Sequence, residues 1–206
     1  MDIFDQRIIG YDSVKATIRQ INDILKAPEK YRAHGAELPH GLLLVGSPGT
    51  GKSTLCHCLM RSCGRQAIIF RRDAAEKEFM EELQCAFEEA AEKAPCVILL
   101  DDIHLYASSP YSSEWAGLQA AIDECKDQDV FVIATANRID CVAQSLLRPG
   151  RFDYILTLSD PSGKTAERII AHYLKGVELG KDVNILMFER PVPETIWNKP
   201  GKAVAW

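Results

Sequence analysis

The sequence has no long apolar run and no excess of basic residues. No segment of its 206 residues approaches the roughly 18 consecutive apolar positions that a membrane-spanning helix requires. Residues 1–5 contain no basic segment followed by an apolar one, so we expect no signal peptide. The formal net charge of -5 disfavours a surface that binds nucleic acid through its phosphates. These absences predict a soluble, cytoplasmic protein without nucleic-acid or membrane partners.

Disulfide and structural-metal patterns are also missing. The cysteine count of seven is odd, which is typical of reduced thiols in a reducing compartment. Cys56, Cys58 and Cys63 cluster around His57, but positions 56 and 58 face different sides of a helix. No second ligand pair follows at the spacing of a zinc finger. We therefore expect no structural metal at this cluster.

Apolar runs and amphipathic segments alternate along the chain. With 47% hydrophobic residues it can build a core, and its length suits one α/β domain, or one domain plus a fragment of a second. Such alternation is typical of a parallel sheet covered by helices on both faces. The pattern predicts strands over residues 41–45, 67–70, 96–100, 130–134 and 154–158, and helices over residues 13–25, 53–62, 74–93, 115–124, 142–148 and 164–175.

A glycine-rich loop follows the first predicted strand. Residues 46–53 have the form G-x-x-x-x-G-K-[ST], in which glycines bring backbone N–H groups close to phosphate oxygens. Lys52 supplies a charge for the outer phosphates, and the Ser53 hydroxyl can ligate Mg²⁺. A strand before the loop and a helix after it argue against a chance glycine turn. The predicted contacts to ATP or ADP are Pro48, Gly49, Thr50, Gly51, Lys52, Ser53 and Thr54.

Polar side chains follow two of the predicted buried strands. Asp101 and Asp102 end the strand over residues 96–100, and Asn137 follows the next strand. Phosphoryl transfer needs a metal clamp and a group that aims the attacking water. We expect Asp101 to hold the metal and Asp102 to orient the attacking water. Asn137 can donate a hydrogen bond to the water or to the γ-phosphate. The alternative for the acidic pair is an N-cap of the next helix.

Two arginines, Arg148 and Arg151, bracket the rigid turn at residues 149–150. The planar guanidinium binds phosphate oxygens bidentately, which suits arginine to a triphosphate site. Their position past a helix predicts that they point away from their own nucleotide and serve a neighbouring chain. The alternative is a pair of surface salt-bridge donors.

Four motifs, in their order along the chain, resemble the AAA branch of the AAA+ ATPases. They occupy residues 46–54, 97–102, 134–138 and 147–153, and the resemblance extends over roughly residues 4–185. It implies a three-layer P-loop NTPase fold with a five-stranded parallel sheet between helices. It also implies an Mg²⁺-dependent ATPase that assembles as a hexamer and acts on proteins.

The resemblance also implies a role for each matching residue. Lys52 corresponds to the Walker A lysine, Asp101 to the Walker B aspartate and Asn137 to the sensor-1 asparagine. Arg148 and Arg151 correspond to arginine fingers that act on the neighbouring subunit. These roles agree with the chemistry expected from the residue types alone.

Two further positions are assigned by the resemblance. Residues 8–15 are similar to the segment of the family that contacts adenine, which places Ile9 and Gly10 beside the base. His172 matches a histidine of the helical lid that lies near the adenine or the ribose. A structural role in its helix is the alternative for His172.

The acidic residue at the end of the third strand departs from the family pattern. The family usually has glutamate where this chain has Asp102, which is shorter by one methylene group. A misplacement of about 1 Å in an active site can cost on the order of a hundredfold in rate. We therefore predict intact ATP binding and slow hydrolysis.

Three other segments differ from the family pattern. Residues 73–82 are acidic where the family has a pore loop, and Phe79 is either the pore aromatic or a core-facing helix residue. Residues 123–125 replace an Asp-Gly-Phe motif at the subunit boundary. The chain contains no His-Glu-x-x-His, which excludes for it the protease activity of the similar membrane-bound enzymes.

Compared with the family pattern, we expect the helical lid to be largely missing. We divide the chain into a large ATPase subdomain over residues 1–160, the start of a lid over residues 161–185 and an irregular tail over residues 186–206. The tail carries three prolines, which disfavour a long helix: Pro191, Pro193 and Pro200.

Two functions fit these observations. The first is an ATPase that hydrolyses ATP slowly and remodels proteins. The second is a nucleotide-dependent interaction module, in which occupancy controls assembly with a partner and little ATP is hydrolysed. A DNA-acting loader is disfavoured by the acidic net charge.

Overall fold

A parallel five-stranded sheet forms the centre of the computed structural model, which describes residues 3–72, 79–106 and 112–174. The strands lie in the order β2-β3-β4-β1-β5, and every adjacent pair is parallel. The central position of β4 places the ends of β1 and β3 on either side of it. The strands are β1 (Gly41–Gly46), β2 (Gln66–Phe70), β3 (Cys96–Leu100), β4 (Val130–Ala136) and β5 (Tyr154–Leu158).

Helices precede, connect and follow the strands. Within the described residues, three short 3₁₀ turns lie at Ile103–Leu105, Ile139–Cys141 and Gln144–Leu147. The last of them lies where the sequence predicts a helix over residues 142–148. The predicted helix over residues 74–93 begins at Phe79 in the described part, and residues 73–78 lie outside it. The helices are α1 (Ile3–Arg7), α2 (Asp12–Lys26), α3 (Pro28–Arg32), α4 (Lys52–Ser62), α5 (Phe79–Glu92), α6 (Ser113–Glu124) and α7 (Gly163–Tyr173).

Alternate side chains of the strands build two separate cores. Successive residues of a strand point to opposite faces, so Leu43 and Ile98 face one layer of helices while Leu42 and Leu99 face the other. The first core includes residues of α5 and α6, and the second includes residues of α1, α2 and α4. The three central strands, β1, β3 and β4, are buried along their whole length. This arrangement confirms the predicted sheet between two helical layers.

Phe79, the first residue of α5, is buried near the end of β2. Phe79 is 3% exposed, and its ring packs against Phe70 and Tyr106 with centroid distances of 5.8 and 5.1 Å. The guanidinium of Arg72 lies 4.9 Å from its centroid. Phe79 is therefore the core-facing residue of the two alternatives.

The division of the C-terminal part stays a prediction. α7 follows β5 as the expected start of a lid, while residues 175–206 lie outside the described part of the chain. Among the described helices, none has the length and apolar character needed to cross a membrane.

Candidate active site

The glycine loop joins β1 to α4 at the carboxyl edge of the sheet. Gly49 and Gly51 have φ of 84° and 94°, in the left-handed region that favours glycine, and α4 begins at Lys52. A Cβ at Gly46 would clash with the carbonyl oxygen of Leu158, so this glycine allows the loop to pass close to β5. The loop thus brings its backbone, together with the positive end of α4, to one place suited to an anion.

Lys52 connects this loop to the end of β4. Its Nζ donates to the carbonyl oxygens of Gly46 and Ser47 at 2.7 and 3.2 Å, and to Asn137 Oδ1 at 3.0 Å. The residue is only 6% exposed. Burial lowers the pKa of Lys52, while the nearby charges of Asp102 and Asp101 oppose that shift.

Asp101 is buried and has a partner on each carboxylate oxygen. Oδ1 accepts from Thr135 Oγ1 at 2.7 Å and from Ser53 Oγ at 3.2 Å. Oδ2 pairs with Arg71 Nη2 at 3.1 Å. These contacts balance a charge that would otherwise be costly to bury.

The oxygens of Ser53 and Asp101 suit a hard cation. Mg²⁺ commonly takes one or two protein oxygens and completes its shell with water and substrate phosphates. In residues 3–72, 79–106 and 112–174, no group of three or more His, Cys, Asp or Glu side chains is placed to hold a metal by itself. The hydroxyl and carboxylate therefore fit Mg²⁺ held jointly with a bound nucleotide.

Asp102 differs from Asp101 in exposure and backbone conformation. Its φ is 54°, its side chain is 47% exposed, and its backbone N–H donates to Thr135 Oγ1 at 2.8 Å. It precedes the 3₁₀ turn Ile103–Leu105, yet its side chain makes no capping hydrogen bond there. A helix-capping hydrogen bond therefore does not position this carboxylate, which is partly exposed to solvent.

Three residues that sequence reasoning missed complete this edge. Thr135 bonds both aspartates, Arg71 pairs with Asp101, and His104 Nε2 lies 2.9 Å from Asn137 Nδ2. The sequence carries no signal for His104 beyond its place three residues after Asp101. Arg71 follows β2 and Thr135 lies near the end of β4, and both strands neighbour β3. The two residues can therefore be identified once the strand order is known.

The predicted adenine segment lies beside the loop and α7. A Cβ at Gly10 would clash with Thr165 Cγ2, and a Cβ at Gly51 would lie 3.9 Å from Ile8 Cδ1. Ile9 lies between these contacts in sequence and is half-buried. His172 is exposed, and its ring packs edge-on against Tyr173 at 5.5 Å. The structure thus places Ile8 beside the phosphate loop and Gly10 against α7, whereas His172 lies about two turns further along α7 than Thr165.

The two arginines of the fourth motif have different environments. Arg148 is exposed, while Arg151 donates from Nε and Nη2 to the two oxygens of Asp123 at 3.0 and 2.8 Å and from Nη1 to Ser145 O. These bonds, joined by Lys126, lower the pKa of Asp123 to about 2. Arg151 is thus a salt-bridge donor within its own chain, and Arg148 is available at the surface.

Comparison with known proteins agrees with this geometry. The family described as "ATPase family associated with various cellular activities (AAA)" matches residues 42–160. ATP-dependent zinc metalloprotease FtsH 1 of Symbiobacterium thermophilum is 31% identical over 207 residues, which cover 91% of this chain and 34% of the relative. ATP-dependent zinc metalloprotease FTSH 1, chloroplastic, of Arabidopsis thaliana is 33% identical over 209 residues, which cover 90% of this chain and 28% of the relative.

A third relative, ATP-dependent zinc metalloprotease FtsH of Acidothermus cellulolyticus, is 31% identical over 202 residues, covering 90% of this chain and 30% of the relative. The chain thus spans about a third of the length of the curated relatives that it matches. The family match includes the loop, both aspartates, Asn137 and the two arginines, and it covers more than half of the sequence. The chain belongs to the AAA family of ATPases.

Proposed function

We propose that this chain binds Mg-ATP at the glycine loop, hydrolyses it slowly and uses the cycle to remodel proteins. The observation that carries the proposal is the convergence of three strand ends on one spot. Lys52 Nζ lies 3.0 Å from Asn137 Oδ1, and Ser53 Oγ lies 3.2 Å from Asp101 Oδ1. A cation, a hydroxyl, a carboxylate and an amide are the groups that phosphoryl transfer requires.

The loop side of the site binds the triphosphate. Backbone N–H groups of the loop and of the first turn of α4 donate to phosphate oxygens, and Lys52 exchanges its carbonyl acceptors for the outer phosphates. Ser53 and Asp101 would hold Mg²⁺, which would supply positive charge against the phosphate oxygens. The residues that we assign to nucleotide contact are Ile9, Gly10, Pro48, Gly49, Thr50, Gly51, Lys52, Ser53 and Thr54, with His172 as a candidate from the lid.

The aspartate side of the site positions the attacking water. Asp102 accepts a hydrogen bond from the water, and Asn137 holds the water or the γ-phosphate from the side. Because Asp102 is one methylene shorter than glutamate, its carboxylate stops short of the position that best aligns the water. This shortfall is the physical reason for slow turnover.

Assembly of several copies places an arginine on a neighbour's nucleotide. Arg148 is exposed and able to reach across a subunit boundary. Arg151 is bound to Asp123, so it serves a neighbour only after that ion pair opens. We therefore assign the first contact in trans to Arg148, with a hexamer as the assembly that the family suggests.

A nucleotide-dependent interaction module is the second candidate. Asp102 and the closed Arg151–Asp123 pair favour it, because both weaken the steps that follow binding. In this case ATP occupancy, rather than hydrolysis, controls contact with a protein partner.

Turnover of the wild type beside Asp102→Glu tests the proposal. We expect slow but measurable phosphate release from the wild type and an increase of about tenfold or more in the variant, because the longer side chain restores the reach. Asp127→Glu, at an exposed position after α6, is the matched control and leaves turnover unchanged.

Each other result contradicts a defined part of the proposal. Tight ATP binding without turnover in either protein selects the interaction module, and absence of ATP binding rejects both functions. Light scattering with and without ATP then measures assembly. Loss of turnover in Arg148→Ala, with ATP binding retained, supports a trans contact.

A further inference from the structure

His104 lies between two side chains that we assign to the hydrolytic step. Its Nε2 is 2.9 Å from Asn137 Nδ2, and its Nδ1 is 3.9 Å from Asp102 Oδ1. The histidine side chain is only 16% exposed. Its Nδ1 is buried and makes no hydrogen bond among the described residues. This buried polar atom has no partner although a carboxylate oxygen of Asp102 lies 3.9 Å away, and it needs an explanation.

The orientation of the Asn137 amide follows from its other neighbour. Lys52 Nζ lies 3.0 Å from Asn137 Oδ1, and an ammonium group only donates hydrogen bonds. The amide oxygen must therefore face Lys52, which turns the NH₂ group of Asn137 toward the histidine ring. An NH₂ group also only donates, so His104 Nε2 must accept.

That acceptor role fixes the tautomer of His104. A ring nitrogen that accepts carries a lone pair, so the proton of the neutral imidazole is on Nδ1. The Nδ1 atom lies 3.9 Å from Asp102 Oδ1, which is too far for a hydrogen bond in the present side-chain positions. Because the Asp102 side chain is 47% exposed, its carboxylate can turn to accept from Nδ1. A chain of hydrogen bonds then runs from Lys52 through Asn137 and His104 to Asp102.

We propose that His104 is a positioning residue which holds the Asn137 amide and the Asp102 carboxylate in register for the attacking water. This proposal rests on the proposed ATPase function. The histidine accepts from the amide at Nε2 and donates to the carboxylate at Nδ1. It acts on the water through these two side chains.

The tautomer is measured by nitrogen-15 NMR of the full chain, which does not require hydrolysis. The sequence has five histidines, so the signals of His104 are identified by their loss in His104→Gln. We expect the Nδ1-protonated form in the wild type at neutral pH, and a shift toward the Nε2-protonated form in Asn137→Ala. An Nε2-protonated ring in the wild type overturns the proposal.

Turnover of two substitutions tests the positioning role. His104→Leu keeps most of the side-chain volume but removes both hydrogen bonds, and we expect kcat to fall about tenfold with KM for Mg-ATP unchanged. His104→Gln can accept from Asn137 and donate to Asp102, and we expect it to retain most of the wild-type kcat. His34→Leu, at an exposed histidine of the turn after α3, is the control.

The outcomes separate this proposal from the proposed function. Equal loss of kcat in His104→Leu and His104→Gln, or a rise in KM in both, indicates a merely structural residue and overturns the positioning role. A wild type without turnover contradicts the ATPase function instead. In that case the tautomer of His104 still decides whether the hydrogen-bond chain exists.

Discussion

The two sides of the candidate site are built in different ways. The loop side consists mainly of backbone groups, with Lys52 as its one long side chain, and it is contiguous in sequence. The aspartate side consists of side chains that bind one another and come from three strand ends, including Arg71, Asp101 and Thr135. In the proposed function the loop side holds an anion, whereas the aspartate side positions a metal and a water.

At the candidate site, the departure from the family pattern lies on the aspartate side. The loop retains every residue type that its chemistry requires, from Gly46 to Ser53. The aspartate side has Asp102 in place of the usual glutamate. The proposed roles therefore make binding and hydrolysis separable, since each would depend on a different set of residues.

Removal of the lysine charge gives the largest expected effect. In Lys52→Ala the phosphates lose a cation and its hydrogen bonds, and hydrogen bonds to charged groups contribute about 1.5–3 kcal/mol each. We expect ATP affinity to fall about 100-fold or more, measured by calorimetry. Lys30→Ala, at an exposed position of α3, is the control. Retention of affinity within a few-fold in Lys52→Ala contradicts the assigned role of the loop side.

The contrast between the sides also explains what the sequence could predict. The loop is a local motif, so its residues and the strand and helix around it were identified directly. The strand predictions over residues 96–100 and 154–158 agree with β3 and β5 residue for residue. Alternating apolar runs of this kind carry enough information for a parallel sheet with two helical layers.

The aspartate side was only half predictable because it depends on strand order. Sequence patterns do not reveal that β3 lies between β2 and β4, and this neighbourhood brings Arg71 and Thr135 to Asp101. The Arg151–Asp123 pair joins residues 28 positions apart, and no local pattern indicates it. Side-chain partners across separate elements are set by tertiary packing, which one sequence alone does not specify.

Thr135 tests whether the aspartate side is held together by its own hydrogen bonds. Thr135→Val has nearly the same shape but leaves the Asp101 carboxylate and the Asp102 N–H without this partner. An unsatisfied buried group costs about 1–3 kcal/mol, so we expect the free energy of unfolding to fall by about 2 kcal/mol in urea denaturation. Thr135→Ser keeps the hydroxyl, so we expect a smaller fall in its free energy of unfolding. Equal stability of the two variants contradicts this account.

Substitution of Arg71 gives the smallest expected effect. It tests whether the guanidinium competes with Mg²⁺ for the Asp101 carboxylate or assists Mg²⁺ binding. Its Nη2 lies 3.1 Å from Asp101 Oδ2, on a side chain that is 52% exposed. An ion pair of this exposure contributes up to about 1 kcal/mol, and Mg²⁺ competes for the same carboxylate. We therefore expect Arg71→Gln to tighten Mg²⁺ about two- to fivefold in titrations at saturating ADP, whereas Arg61→Gln, at an exposed position of α4, changes nothing. Weaker Mg²⁺ binding in Arg71→Gln means that the guanidinium instead contacts the bound phosphates, which places a cation on both sides of the site.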